Sequence, residues 1–66
     1  MDTIRNRVRE LREDRGLSQS ELARLTGVTR QTINAIERGD YNPTIKLCLA
    51  ICRTLGRTLD ELFWEE

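Results

Sequence analysis

The spacing of four glycines and a single proline most constrains what this chain can fold into. Gly16, Gly27, Gly39, Pro43 and Gly56 cut it into short segments, and inside them apolar residues recur at helical, not alternating, intervals. In the first segment Ile4, Val8 and Leu11 fall at i, i+4 and i+7 among charged residues. This predicts a helix of about three turns stopped at Gly16. Ser18 and Glu21 form a capping box that opens a second helix, with Leu22, Ala23 and Leu25 as its apolar side and Gly27 as its stop. Thr29 is a good N-cap for a third helix, in which Ile33 and Ile36 point inward and after which Gly39 ends the segment. Asp40 to Pro43 is a turn-rich connector. A fourth helix runs from Pro43-Thr44 to Leu55 and is apolar around most of its circumference, which predicts a central position. A second capping box, Thr58 with Glu61, opens a short fifth helix through Leu62 and Phe63, and the tail from Phe63 to Glu66 is open to a short extended strand. The expected architecture is all-α, one compact five-helix domain over residues 1–66.

Sixty-six residues hold one small core. A fold of this size buries only about 60% of its unfolded surface, so a partner subunit would add useful stability. The longest apolar run, Leu47 to Cys52, is far too short to span a bilayer, and no charged-then-apolar leader opens the chain. A cytoplasmic protein with no membrane partner is expected. There is no histidine, so the commonest general base and metal ligand is missing. No phosphate loop or metal set is visible either, which argues against an enzyme and against a cofactor or small-molecule ligand. Cys48 and Cys52 stand at i, i+4; two thiols alone make poor zinc coordination, and they read as small core residues rather than as a metal or redox sensor.

The 11 Lys+Arg and 11 Asp+Glu cancel, which removes the simplest sign of nucleic-acid binding. The cancellation is uneven. Residues 58–66 carry Asp60, Glu61, Glu65 and Glu66 and no basic residue, a charge of −4, so residues 1–57 carry +4. The chain is a basic body with an acidic end.

Only Gly27, Val28 and Thr29 join the second and third helices. So short a connection with a glycine forces a sharp angle, the helix-turn-helix arrangement. In that unit the first helix crosses the DNA backbone and the second enters the major groove. The residues Gly16-Leu17-Ser18-Gln19-Ser20-Glu21-Leu22-Ala23, Gly27-Val28-Thr29-Arg30-Gln31-Thr32-Ile33 and Ile36-Glu37-Arg38-Gly39 resemble the phage repressor/Cro-type helix-turn-helix regulators of prokaryotes. Tyr41-Asn42-Pro43-Thr44, Leu55-Gly56 and Leu59-Asp60-Glu61-Leu62-Phe63 resemble a subgroup of very small stand-alone members, so the resemblance covers roughly Ile4 to Phe63.

The third helix carries Arg30, Gln31, Asn34, Ala35 and Arg38 on the face opposite Ile33, Ile36 and Glu37. Arginine pairs with guanine O6/N7, and glutamine or asparagine with adenine N6/N7, so this face suits base reading. The resemblance implies that Arg30, Gln31 and Asn34 read bases. It also implies that Gln19 contacts a phosphate or buttresses Gln31. Thr29, Thr32, Arg38, Tyr41 and Asn42 flank that face as candidates for backbone contacts, Arg38 foremost by charge, with packing on the connector the alternative for Tyr41. The resemblance further implies a structural pair between Arg12 and Glu37, the alternative being two independent solvated charges.

One such unit reads few base pairs, and useful specificity needs two, about 34 Å apart. The expectation is a homodimer on a pseudo-palindromic site in double-stranded DNA, paired through the C-terminal end (about residues 58–66) by Leu59, Leu62, Phe63 and Trp64 with part of the fourth helix. Repression by occupying a promoter is the simplest mode of regulation, with activation through a contact to polymerase as the other. The competing class is an antitoxin-like interaction module in which DNA binding is secondary.

Overall fold

The computed structural model describes residues 4–65; Glu66, counted above with the acidic end, lies outside them. The element order is β1 (Ile4–Asn6), α1 (Val8–Asp14), α2 (Gln19–Thr26), α3 (Arg30–Arg38), α4 (Ile45–Leu55), α5 (Leu59–Leu62) and β2 (Phe63–Glu65). Five helices therefore make up most of the fold, as the segment pattern requires. The start of the first segment differs from expectation. Ile4–Asn6 is not the first turn of α1 but a strand, antiparallel to β2 with Ile4 opposite Glu65, Arg5 opposite Trp64 and Asn6 opposite Phe63. Spacing of i, i+4 between Ile4 and Val8 suits a continuous helix, but long-range backbone pairing outweighs it here. The local signal is Asn6: its Oδ1 accepts the Val8 amide at 3.1 Å, as a capping side chain does, and so marks a later helix start. The tail is a strand, and α5 stops at Leu62, one residue before the expected end.

Helix ends follow the sequence closely. Glu21 N donates to Ser18 Oγ at 3.0 Å and Ser18 N to Glu21 Oε1 at 2.8 Å, a reciprocal box at the start of α2. Thr29 and Thr44 accept from Thr32 N and Leu47 N to cap α3 and α4. At the end of α2, Gly27 takes φ +78, and Val28 N donates to Ala23 O at 3.0 Å. That left-handed turn directs the chain from α2 into α3 within three residues, and a side chain at Gly27 would strain it.

The core joins Val8 of α1, Leu22 and Ala23 of α2, Ile33 and Ile36 of α3, and Leu47, Cys48, Ile51, Cys52 and Leu55 of α4. Leu62 and Phe63 close it from the C-terminal end. α4 packs against α1, α2 and α5 and is central. Its apolar stripe is wider than the core it covers: Ile45 is 66% exposed and Leu49 44%. Leu25, expected on the inner side of α2, is also exposed. It sits past the edge of the buried strip that Leu22 and Ala23 define.

Because Leu62 is fully buried, Leu62→Ala is expected to cost about 2–5 kcal/mol in urea unfolding, a large share of the stability of so small a domain. The capping carboxylates give a second expectation. Hydrogen bonds from the Ser18 backbone and side chain hold Glu21 below its ordinary 4.5. A depressed folded value means that the cap's contribution is complete above about pH 4.5 and is lost as pH falls through the lowered value. Glu21→Gln should therefore flatten the acid limb of a stability-versus-pH curve without changing its shape above that limb.

Candidate nucleic-acid interface

α3 lies at the surface with its apolar side fixed. Ile33 and Ile36 are fully buried, Arg30 and Gln31 are exposed, and Asn34 and Ala35 are half-buried. The helix starts at Thr29, whose hydroxyl lies 3.0 Å from that of Thr32. These two side chains bind each other at the helix start and leave the outer face to Arg30, Gln31 and Asn34.

Behind that face runs a continuous polar network. Arg12 of α1 and Glu37 of α3 are paired through two contacts, Nε–Oε2 at 2.8 Å and Nη2–Oε1 at 3.3 Å. Their side chains are 9% and 3% exposed. Arg12 Nη1 also donates to the Leu17 carbonyl at 2.7 Å, so the guanidinium ties α1, the α1–α2 turn and α3 together. The hydrogen bond to Glu37 raises the Arg12 pKa further, against an opposing effect of burial. Glu37 Oε1 in turn accepts from Gln19 Nε2 at 3.0 Å. Gln19 Nε2 also reaches Asn34 Oδ1 at 3.3 Å, and Gln19 Oε1 accepts from Arg30 Nη1 at 3.1 Å. Gln19 thus buttresses Arg30 and Asn34 rather than Gln31. The reason is helical phase: Arg30, Asn34 and Glu37 stand at i, i+4 and i+7 and lie on the side of α3 facing the start of α2, so Glu37 shares a side with Arg30 and Asn34 instead of opposing them as expected, while Gln31 is turned outward. An open concavity of about 630 Å³ lies over the network, lined in part by Arg9, Gln19, Arg30, Asn34 and Arg38.

The flanking residues divide. Arg38 is exposed but already paired with Asp40, Nη2–Oδ2 at 2.7 Å, so a phosphate would compete with a carboxylate there. Tyr41 is 45% exposed and lies beside a shallow cleft between Gly27-Val28 and the start of α4. Asn42 lines a different groove, with Ile45, Leu59 and Trp64 at the C-terminal end. That groove bears on the expected subunit contact. Leu62 and Phe63 are buried in the chain's own core, leaving Leu59 and Trp64 exposed at 36% and 39%. The guanidinium of Arg7 lies over the Trp64 ring, 5.4 Å from its centroid.

Cys48 and Cys52 are free and buried, and desolvation pushes both thiols above their ordinary value, so the reactive thiolate is disfavoured. No group of three or more metal-ligating side chains is found among the described residues, and no helix among them is long and apolar enough to cross a membrane. One positioning residue escapes sequence reasoning. Asn6 Nδ2 donates to the Ile36 carbonyl at 2.9 Å, fastening β1 to the last turn of α3. Its position just ahead of α1 hints at the cap, but nothing local points to α3.

Residues 8–62 match the HTH_3 family, described as helix-turn-helix. The chain belongs to that family. This helix-turn-helix regulator is 46% identical over 63 residues, 96% of each chain, to the uncharacterized HTH-type transcriptional regulator YgzD of Bacillus subtilis. It is 48% identical over 61 residues to an uncharacterized HTH-type transcriptional regulator of Methanothermobacter thermautotrophicus, covering 91% of this chain and 88% of the other. Its structure is similar to that of the restriction-modification controller protein C.AhdI of Aeromonas hydrophila, with a TM-score of 0.76 and 37% identity over 82% of this chain and 78% of that one. The chain is thus a transcriptional regulator with a helix-turn-helix DNA-binding fold and not an enzyme.

Removing Glu37 leaves the Arg12 guanidinium buried and unpaired. Glu37→Ala and Arg12→Ala are each expected to cost about 3–5 kcal/mol, and the double variant clearly less than the sum. Chemical denaturation of the three proteins checks this; additive losses would show that the two charges act independently.

Proposed function

We propose that this regulator is a repressor that binds a pseudo-palindromic operator as a homodimer, with α3 in the major groove. The observation that carries the reading is the two-sidedness of α3: Ile33 and Ile36 lock the inner side, and the outer side offers Arg30, Gln31 and Asn34 to a base edge. Arg30 suits guanine and Gln31 suits adenine. Thr29, Thr32, Tyr41 and Arg38 lie beside this face as backbone contacts that fix register. Arg38 contributes less than its charge suggests, because Asp40 already holds it. Asn42 stands apart, on the C-terminal groove.

The dimer contact is assigned to the surface of Leu59 and Trp64, extended onto α4 by Ile45 and, one turn on, Leu49. All four are large apolar side chains left exposed by the core. Leu62 and Phe63 support this surface from beneath instead of forming it. The acidic end, Asp60, Glu61 and Glu65, is carried by α5 and β2, which pack on α4 and β1; α3 packs on α2 and α1. This separation suits an arrangement in which one side meets phosphates and the other meets a second subunit. Blocking a promoter by occupying it is the mode such a module supports most simply, and the cytoplasm is the compartment where it would act.

Arg30→Ala and Gln31→Ala are each expected to weaken binding to the selected operator by about 1–3 kcal/mol and to relax one base position. Selection from a random duplex pool, followed by titration at fixed salt, checks both; unchanged cognate affinity would remove α3 from the base-reading role. Sedimentation at micromolar concentration should show a dimer that Trp64→Glu converts to a monomer, and a wild-type monomer there would reject the dimer.

A further inference from the structure

The arginines around the concavity over α1, α2 and α3 are not equivalent. Arg9, Arg12, Arg30 and Arg38 all line it. Arg12 is paired with Glu37, and Arg9 with Glu13, whose Oε2 lies 3.3 Å from Arg9 Nε. Arg38 is held by Asp40, with Nη2 at 2.7 Å and Nε at 3.1 Å from the same oxygen, Oδ2. Among the described residues, Arg30 alone of the four rests on an uncharged group, Gln19 Oε1 at 3.1 Å. Three of the four positive charges on this surface therefore have a carboxylate beside them before any ligand arrives.

Stability does not account for Asp40. Its side chain and that of Arg38 are 59% and 62% exposed, and an ion pair so open to solvent contributes little. Asp40 also stands just past the C-terminus of α3, where the helix dipole disfavours an anion. Its position is nonetheless fixed. Gly39 takes φ +80, Gly39 N donates to Ile36 O at 3.0 Å and Asp40 N to Ala35 O at 2.9 Å, a closed left-handed turn from which the carboxylate reaches back to Arg38. A phosphate that approaches Arg38 has two outcomes. It displaces Asp40 and leaves a second anion unpaired beside it, or it leaves the pair intact and gains nothing from the arginine. Binding to DNA draws its sequence-independent strength from the cations released when phosphates are neutralised, and an arginine that keeps its own carboxylate releases none.

We infer that Asp40 is a built-in counter-anion of the DNA-binding surface: it cancels Arg38 and so lowers affinity for duplex DNA of every sequence, leaving Arg30 as the uncompensated cation of the concavity. This rests on the reading of α3 as the base-contacting helix. Attraction is trimmed at a position that carries no sequence information and kept at the arginine that faces a base edge. Asp40 acts through Arg38 and contacts no base.

Titration of a non-operator duplex and of the selected operator, each over a range of salt, tests this with four proteins: wild type, Asp40→Asn, the double variant Arg38→Gln/Asp40→Asn, and Asp60→Asn, each checked for folding by circular dichroism. Asp40→Asn keeps the shape of the side chain and removes its charge. It should tighten binding to both duplexes about fivefold at about 0.15 M salt and steepen the plot of log affinity against log salt by about 0.9. The double variant replaces a cancelled pair by two uncharged side chains and should match wild type in affinity and slope. Asp60→Asn removes the same charge from α5 and should leave both affinities within about twofold, because charges away from the interface are screened. No gain in Asp40→Asn, or an equal gain in Asp60→Asn, overturns the inference. So does a double variant about fivefold weaker than wild type with a slope shallower by about 0.9, since Arg38 then meets a phosphate in spite of Asp40. In each of those cases, an Arg30→Ala variant that relaxes one base position on selection keeps α3 as the reading helix, and only the role of Asp40 falls. If Arg30→Ala relaxes none, that reading falls as well.

Discussion

The buried pair between Arg12 and Glu37 is the interaction on which the rest of the molecule depends. It joins the first helix to the recognition helix where a core of this size has little apolar area to spare. Burying two charges is expensive, and a buried pair of this kind adds little net stability compared with apolar residues of the same shape. What it supplies is geometry. The planar guanidinium holds Glu37 through two contacts and the Leu17 carbonyl through a third, so α1, the following turn and α3 have one relative placement. Glu37 then passes that placement to Gln19, and Gln19 to Arg30 and Asn34. A charge in the interior is thereby connected to the exposed Arg30 and the half-buried Asn34 on the outer part of α3.

The two strands do a related task at the other end. Pairing Ile4–Asn6 with Phe63–Glu65 brings the two ends of the described chain together over the core, and Asn6 ties that sheet to α3 through the Ile36 carbonyl. With the termini fastened, Leu62 and Phe63 are drawn inward, while Leu59, Trp64 and the outer side of α4 are left facing out. The zero net charge acquires a meaning in the same geometry. Basic side chains gather around the concavity over α1, α2 and α3, where Arg9, Arg12, Arg30 and Arg38 occur, and the acidic side chains of the last residues sit on α5 and β2.

Much of this is legible in the sequence because the determinants are local. The box at Ser18, the caps at Thr29 and Thr44 and the left-handed glycines define the boundaries of α2, α3 and α4 within a residue or two, and the box at Thr58 the start of α5, since each motif acts on its own turn. Helical phase separates the exposed Arg30 and Gln31 from the buried Ile33 and Ile36, although it does not reveal that Glu37 sits beside Asn34 against Gln19. The illegible parts are set by long-range contacts. Ile4 has helical spacing to Val8, and only the partner strand nearly sixty residues away makes it extended. Phe63 and Trp64 are adjacent aromatic residues, yet strand alternation buries the first and exposes the second. Arg38 carries a full charge, but its pairing with Asp40 depends on the turn after α3. The partners of Gln19 depend on the angle between two helices, which sequence gives only as sharp.

The most direct test of the central claim is a titration of isotope-labelled protein with its selected duplex, following backbone amides and side-chain NH2 and guanidinium groups by NMR. The largest shifts are expected at Arg30, Gln31 and Asn34, with the Gln19 side chain responding through its contact to them, and small shifts along α5. Shifts concentrated on α5 and β2, with the first turns of α3 unmoved, would contradict the account.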